Sequence, residues 1–502
     1  MSTIRRQSII SSGIVYFGFA LGALTNIYLA KEFTPDQYGL MNGIFVAVGM
    51  IMYAFASFGM PAYIGKFYPY YNDNLPASGK AKNDLMSWAL LVGLIGFGLV
   101  VILGVAFKDV VIRFYSDKSS EVGKYYSWLF VFGFGMTLFS LLEAFAWQVK
   151  QSVLTNYLRE VQFRITTLLL IGLYLAGVLS GFDLFIKLFA FNYLLIALIL
   201  GIYLVRSGKL HFVFTRSRVT KKFFPKIRSL ALMVWGGQLM FNIAFYFAQI
   251  VIAGVVAGGL TAVGIFTFAQ FVGSLVQAPQ RGVTAAAIGP LSQAWKDKDL
   301  GRIRRIYQRS SASQLVFSVG MFLLILLNFT DGILTFHLKT QYLNALPVFF
   351  FIGLARLVDM GTGVNTQIIG TSIYWRFDFV SGLILVALTL PLNYLLAKEM
   401  GVVGPAIADL ITFAIYNGIR WWFLFYRFDM QPFTRKSLYT LLLGAGAWLV
   451  CHWLFGSHQG LPWMIIRSLL FLALYGAGVL GLGLSEDIIP VWQTVKKRLG
   501  LT

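Results

Sequence analysis

Phe33-Thr-Pro-Asp-Gln-Tyr-Gly-Leu-Met-Asn-Gly-Ile44 and Gly258-Gly-Leu-Thr-Ala-Val-Gly-Ile-Phe-Thr-Phe-Ala269 read as two copies of one device. In each, a long apolar run stops in a short turn, and an aromatic or β-branched residue followed by glycine opens the next run. Gly39 and Gly264 lie 225 residues apart in a chain of 502, close to half its length. A repeat at that offset predicts two similar lobes. Six apolar runs precede the second copy, so both lobes share one orientation, related by an axis along the membrane normal.

Outward from these copies the chain is a series of membrane-length segments. A span needs roughly 20 mostly apolar residues to cross a core of about 30 Å. Fourteen segments qualify: 9–30, 40–62, 85–107, 125–147, 162–180, 184–205, 229–252, 262–280, 311–329, 344–363, 377–397, 402–424, 438–455 and 462–484. Barrel strands are about half as long and alternate in polarity; these runs do not alternate. Composition agrees, with 58% hydrophobic and only 12% charged residues, where soluble domains carry about 25% charged. Aromatic residues at 16% suit rings gathered at membrane interfaces, and 50 glycines suit closely packed helices. The first run is a full span without a small-residue cleavage pattern, so no cleavable signal peptide is expected.

A net charge of +21 suggests a nucleic-acid binder until the charges are placed. With the N-terminus cytoplasmic, thirty of the 41 Lys and Arg fall in cytoplasmic segments and eight on the other side. That bias obeys the positive-inside rule and excludes a nucleic-acid partner as the reason for the charge. It also requires an even number of spans, because Arg5-Arg6 and Lys496-Lys497-Arg498 both belong inside. The segment Arg206–Arg228 carries eight basic residues and no acidic one, as expected of a cytoplasmic connector lying near anionic headgroups. The expected architecture is an all-α integral membrane protein of about 14 transmembrane helices in two six-helix lobes, plus two C-terminal helices. Its parts are an N-terminal lobe (1–206), the connector (207–228), a C-terminal lobe (229–428), and a final helix pair with a basic tail (429–502).

Short outer loops leave no room for an extracytoplasmic catalytic domain, which speaks against a glycan polymerase or ligase. Cys451 excludes an intrachain disulfide framework. His452 and His458 are too isolated for a metal site, and no cofactor is expected.

Several stretches identify a relationship. They are Tyr38-Gly-Leu; Ala56-Ser-Phe-Gly-Met-Pro61 followed by Lys66; Gly289-Pro-Leu-Ser with Asp299-Leu-Gly-Arg-Ile-Arg-Arg-Ile-Tyr307; and Pro391-Leu-Asn-Tyr-Leu-Leu with Gly401-Val-Val-Gly-Pro-Ala-Ile-Ala408. Over essentially the whole chain the sequence resembles the polysaccharide-exporter branch of the multidrug/oligosaccharidyl-lipid/polysaccharide exporter superfamily, which includes O-antigen and capsule-repeat flippases. The resemblance implies helices 1, 2, 7 and 8 around a cavity open alternately to either side. It implies a bacterial inner-membrane flippase for an undecaprenyl-pyrophosphate-linked oligosaccharide in surface polysaccharide biosynthesis. Membrane lipids, a glycan polymerase and chain-length machinery are its candidate partners. The sequence departs from lipid II flippases, whose helices one and two carry arginines, since here the middle of both is uncharged. The alternative is a cation-coupled multidrug exporter of the same superfamily, but that branch places an acid in helix one or seven, and neither has one here.

A flippase must lower the cost of taking sugars and a pyrophosphate through a low-dielectric core. An uncompensated charge at mid-bilayer costs at least ~2.5–3.5 kcal/mol, so charges within spans are candidate site residues. Arg356 falls roughly 18 Å into its span, with Asp359 three residues on and on the same face. The two are either a self-neutralising pair or an anion site with Asp359 orienting the guanidinium. Asp409 is a coupling-ion candidate. Glu143, Arg420 and Arg467 lie near span ends, where long side chains can reach the interface, and structural roles are expected of them.

Polar candidates for a cavity lining are Ser8, Ser11, Ser12, Thr25 and Asn26 on helix one, and Asn42 on helix two. Helix seven offers Gln238, Asn242 and Gln249 on one face, and helix eight offers Thr267, Gln270, Ser274 and Gln277 as a stripe. Arg6, Lys66 and Arg281 would ring the inner mouth. The aromatic residues Phe241, Phe245 and Tyr246 are expected to pack.

Overall fold

The computed structural model describes residues 3–74 and 83–487; the side chains of residues 3–12, Tyr16, Asn74, Arg281, Ala285 and Trp375 lie outside that description. It contains no strand among the described residues. The long helices are α1 (Thr3–Glu32), α2 (Pro35–Ala56), α3 (Leu85–Ala106), α4 (Tyr126–Gln148), α5 (152–175), α6 (Phe182–Arg206) and α7 (Arg218–Val255). There follow α8 (Gly259–Gln277), α9 (Leu300–Thr335), α10 (Thr340–Gly361), α11 (Trp375–Met400), α12 (Val403–Phe428), α13 (Arg435–Phe455) and α14 (Leu461–Gly481). Twelve of the described helices are long and apolar enough to cross a membrane. The other two, α5 and α12, have the length but carry Arg159, Glu160 and Arg164, or Asp409, Arg420 and Arg427. The protein is a multi-pass membrane protein, and its helices are compatible with the expected fourteen.

Two helices run well beyond their apolar cores. Helix α7 has 38 residues, so the second half of the basic connector is helical rather than a loop. The local cause is Ser217, whose side chain caps the helix by accepting from the Thr220 N–H (3.2 Å). The tertiary cause is Asp84, fully buried, which accepts from the Ser217 N–H (2.9 Å), the Thr220 hydroxyl (2.7 Å) and the Trp88 indole (3.1 Å). Ile227 and Ala231 then join the core formed with Tyr63, Tyr71 and Leu142. Helix α9 likewise starts early, where Asp299 accepts from the Arg302 N–H (2.8 Å).

The two repeat copies touch one another. Thr34 and Gln37 form a capping box at the start of α2, and the Thr261 hydroxyl donates to Asp36 across the copies. A Cβ on Gly39 would strike the Leu260 carbonyl, and one on Gly264 would strike the Pro35 carbonyl. Only glycine at both positions allows this approach, which explains the one residue that the copies share at the same place. The second motif also has a backbone reason. Gly401 has φ +62° in the turn from α11 to α12, and a Cβ on Gly404 would collide with the Leu396 carbonyl.

Contacts divide the chain into two compact units, Met1–Gly264 and Ile265–Thr502. The division falls after the 206/229 boundary read from span order, because α7 packs against α2 and the helix Met60–Asn74. In the second unit, Leu315, Val319, Cys451, Phe471 and Tyr475 form a core joining α9, α13 and α14.

Candidate functional site

In the first unit, a cavity of about 290 Å³ lies among α1, α2, α5 and α6, and its walls are mostly polar. On α1, the Thr25 hydroxyl and the Asn26 amide donate to the carbonyls one turn back, Leu21 O (2.7 Å) and Gly22 O (2.8 Å). Asn26 Oδ1 accepts from the Tyr38 hydroxyl (2.7 Å) and the Asn42 amide (3.5 Å), so two expected lining residues do meet. Asn42 belongs to a π-helical segment, Gly39–Phe45. A second π segment, Tyr157–Gln162, supplies Arg159 and Glu160 to the same cavity. Widened turns of this kind re-aim side chains and occur often at functional sites.

Two ion pairs balance the cavity's charge. Arg159 donates to the buried carboxylate of Glu143 (3.2 Å), and Arg164 to Glu160 (2.7 Å). Arg164 lies directly over Gly22, where any side chain would displace it. Asn192 donates to Thr167 (3.0 Å) on the far wall. The result is a neutral chamber rich in hydrogen-bonding groups. Arg159, Glu160 and Arg164 were absent from the candidates read from sequence, where Arg159 and Glu160 precede the span 162–180 and Arg164 stands at its start. Their spacing ahead of an apolar run was the available signal, since Glu160 and Arg164 stand one helical turn apart.

In the second unit, Arg356 and Asp359 do not pair. Asp359 instead accepts from the amides of Gln277 (3.0 Å), Gln280 (2.7 Å) and Asn417 (3.3 Å). Asn417 Oδ1 accepts in turn from Thr362 (2.9 Å) and Asn365 (2.9 Å). This network ties the end of α8 to α10 and α12 and brings the expected Gln277 to Asp359. Arg356 is buried on α10 with its guanidinium 5.4 Å from the Phe413 ring of α12, and its Nε has no hydrogen-bond partner. Among the described residues no carboxylate lies within ion-pair distance of it. Asp409 stands one turn before Phe413 on α12.

Arg420 and Arg467 differ from Arg356. Both are buried and neutralised: Arg420 by Asp378, with the Tyr416 ring 3.9 Å away, and Arg467 by Asp331 (2.8 Å).

The remaining candidates are scattered. Lys66 is exposed on Met60–Asn74, and Ser274 is exposed and bonds its own helix at Phe271 O (2.6 Å). Gln249 is buried and Gln270 half-buried. Gln238 and Asn242 are half-buried, with the Asn242 amide on the Gln238 carbonyl (2.8 Å). Phe241 and Phe245 are not packed as expected: they are exposed and stack on each other at 6.2 Å. Together with Gln238 and Asn242 they make one stripe of α7. The side chains of Arg6, Ser8, Ser11, Ser12 and Arg281 lie outside the described residues.

No family model and no curated protein sequence matches the chain. Solved structures do. A lipid II flippase, MurJ, in an inward closed conformation superposes with a TM-score of 0.73 at 16% identity, covering 94% of this chain and 98% of the flippase. An inward-facing multidrug resistance MATE family transporter of the MOP superfamily gives a TM-score of 0.62 at 14% identity, covering 84% of this chain and 98% of the transporter. The chain therefore has the fold shared by the lipid II flippase MurJ and a MATE transporter of the MOP superfamily.

Proposed function

We propose that the protein is a flippase that carries an undecaprenyl-pyrophosphate-linked oligosaccharide across the bacterial inner membrane by alternating access, with both termini cytoplasmic. The observation that carries this reading is Arg356, a buried intramembrane guanidinium with no carboxylate in ion-pair range among the described residues. A charge kept at that depth without a partner is suited to an anion that arrives and leaves. The pyrophosphate of a lipid carrier is such an anion. The neutral chamber and the α7 stripe, with two exposed rings alternating with two amides, are suited to hydroxyl-rich sugars. The repeat halves 1–206 and 229–428 are the moving lobes in this account.

A multidrug exporter is the second reading, and the shared fold favours it less. The lipid II flippase accounts for more of this chain than the MATE transporter does, and an unpaired arginine suits an anionic cargo. The test is a gene deletion with leaflet-resolved measurement of lipid-linked oligosaccharide. The expected result is accumulation of the precursor on the cytoplasmic leaflet with loss of surface polysaccharide. Intact surface polysaccharide without accumulation contradicts the proposal.

A further inference from the structure

Three segments far apart in sequence converge on one cavity at the basic end of the second unit. The first turns of α9 supply Arg302, Arg305 and Arg309; the start of α13 supplies Arg435 and Lys436; and the residues after α14 supply Leu484 and Glu486. The cavity, open on one side, has a volume of about 730 Å³. Residues 302, 305 and 309 follow the helical period, so their guanidinium groups project from one face of α9. Ile306, Ala312 and Leu484 provide an apolar flank beside them.

The charges do not cancel. Five cations line the cavity against the single carboxylate of Glu486. Asp487 neutralises only Arg309, through the guanidinium Nε at 2.7 Å. Arg435 and Lys436 stand in the first turn of α13, which Thr434 and Ser437 cap, at the positive end of the helix dipole. Cations are disfavoured there unless an anion shares the place. Dispersed positive-inside residues account for basic loops, but not for five cations drawn into one concave surface with an apolar side.

We propose that this cavity binds a phosphate-bearing headgroup, with the phosphate oxygens held by Arg302, Arg305 and Arg435 and the adjoining chain lying along Ile306 and Leu484. The shared chemistry is a phosphoanion, supplied either by an anionic membrane lipid or by soluble phosphate species. The site is separate from Arg356 and does not depend on the transport proposal.

The test uses the full chain purified in mild detergent, as wild type and as the triple variant Arg302→Gln/Arg305→Gln/Arg435→Gln. A charge-matched control, Lys221→Gln/Lys222→Gln/Lys226→Gln, removes the same charge from exposed residues of α7. Native mass spectrometry measures retention of phosphatidylglycerol against phosphatidylcholine, and titration calorimetry measures binding of inorganic pyrophosphate. The wild type and the control should retain phosphatidylglycerol or bind pyrophosphate, with affinity weakened roughly 100-fold in the triple variant at low ionic strength. Retention of the lipid alone identifies a membrane headgroup as the source, and binding of pyrophosphate identifies a soluble phosphate; either supports the site. Equal binding by the wild type and the triple variant, no binding of either probe, or an equal loss in the control overturns it. Unchanged elution and melting temperature of the triple variant establish that any loss is local.

Discussion

Arg356→Ala should abolish export of lipid-linked oligosaccharide while leaving the protein folded and at its normal level in the membrane. Three arginines lie within the spans of the second unit, and two are satisfied. Arg420 has Asp378, Thr366 and Ser381 around its guanidinium, and Arg467 has Asp331 and Asn328. Removing either would strand a carboxylate, half-buried at Asp378 and buried at Asp331. Arg356 has an aromatic ring and an unpartnered Nε, so its removal strands nothing within ion-pair distance. A charge-assisted hydrogen bond to a phosphate in a dry site contributes about 3 kcal/mol, or on the order of 100-fold in transport rate. Arg356→Lys, which keeps the charge but not the planar fork, should retain part of the activity. The readouts are surface polysaccharide, membrane level by immunoblot, and melting temperature of the purified variant. Normal export by Arg356→Ala would return this residue to helix packing.

The opposite outcome is expected at Asp331. Its carboxylate accepts from Arg467 (2.8 Å) and from the Gly460 N–H (3.3 Å), while Asn328 accepts from Arg467 Nε (3.1 Å). This cluster fastens α14 and the turn before it to α9. Asp331→Ala leaves a guanidinium buried without its counter-charge, and breaking a buried pair from one side costs about 3–5 kcal/mol. The expected result is a sharply lower melting temperature and reduced membrane level. The double variant Asp331→Leu/Arg467→Met removes both charges together and should recover much of that loss. Recovery separates a charge-pairing role from simple loss of packing; a double variant as unstable as Asp331→Ala would contradict it.

The architecture was legible because hydropathy and charge placement are properties of single segments. Each apolar run must satisfy its own backbone by forming a helix, so α1 to α14 follow from local composition. The shared glycines at 39 and 264 could be seen as a repeat, but not as a contact, since nothing in either copy shows that the other lies against it. The site was less legible for a related reason. The spacing of Arg356 and Asp359 suggests a pair, yet the amides of Gln277 and Gln280, some 80 residues away, take the carboxylate instead. The partner of Arg467 lies 136 residues distant. Arg159 looks like a loop charge because a count by side of the membrane cannot foresee a π segment that turns it into a cavity. The basic residues of α9 and α13 were equally visible, but their concave arrangement belongs to the tertiary fold alone.

The central claim is that this fold moves a lipid-linked glycan, and reconstitution tests it most directly. The purified protein is placed in vesicles containing a polyprenyl-pyrophosphate-linked oligosaccharide, and a membrane-impermeant periodate reagent reports how much glycan becomes reachable from outside. The account predicts that vesicles with the wild-type protein expose the inner-leaflet pool, whereas those with Arg356→Ala match protein-free vesicles. An inner-leaflet pool that stays protected in wild-type vesicles, alongside transport of a cationic drug by the same preparation, would contradict it.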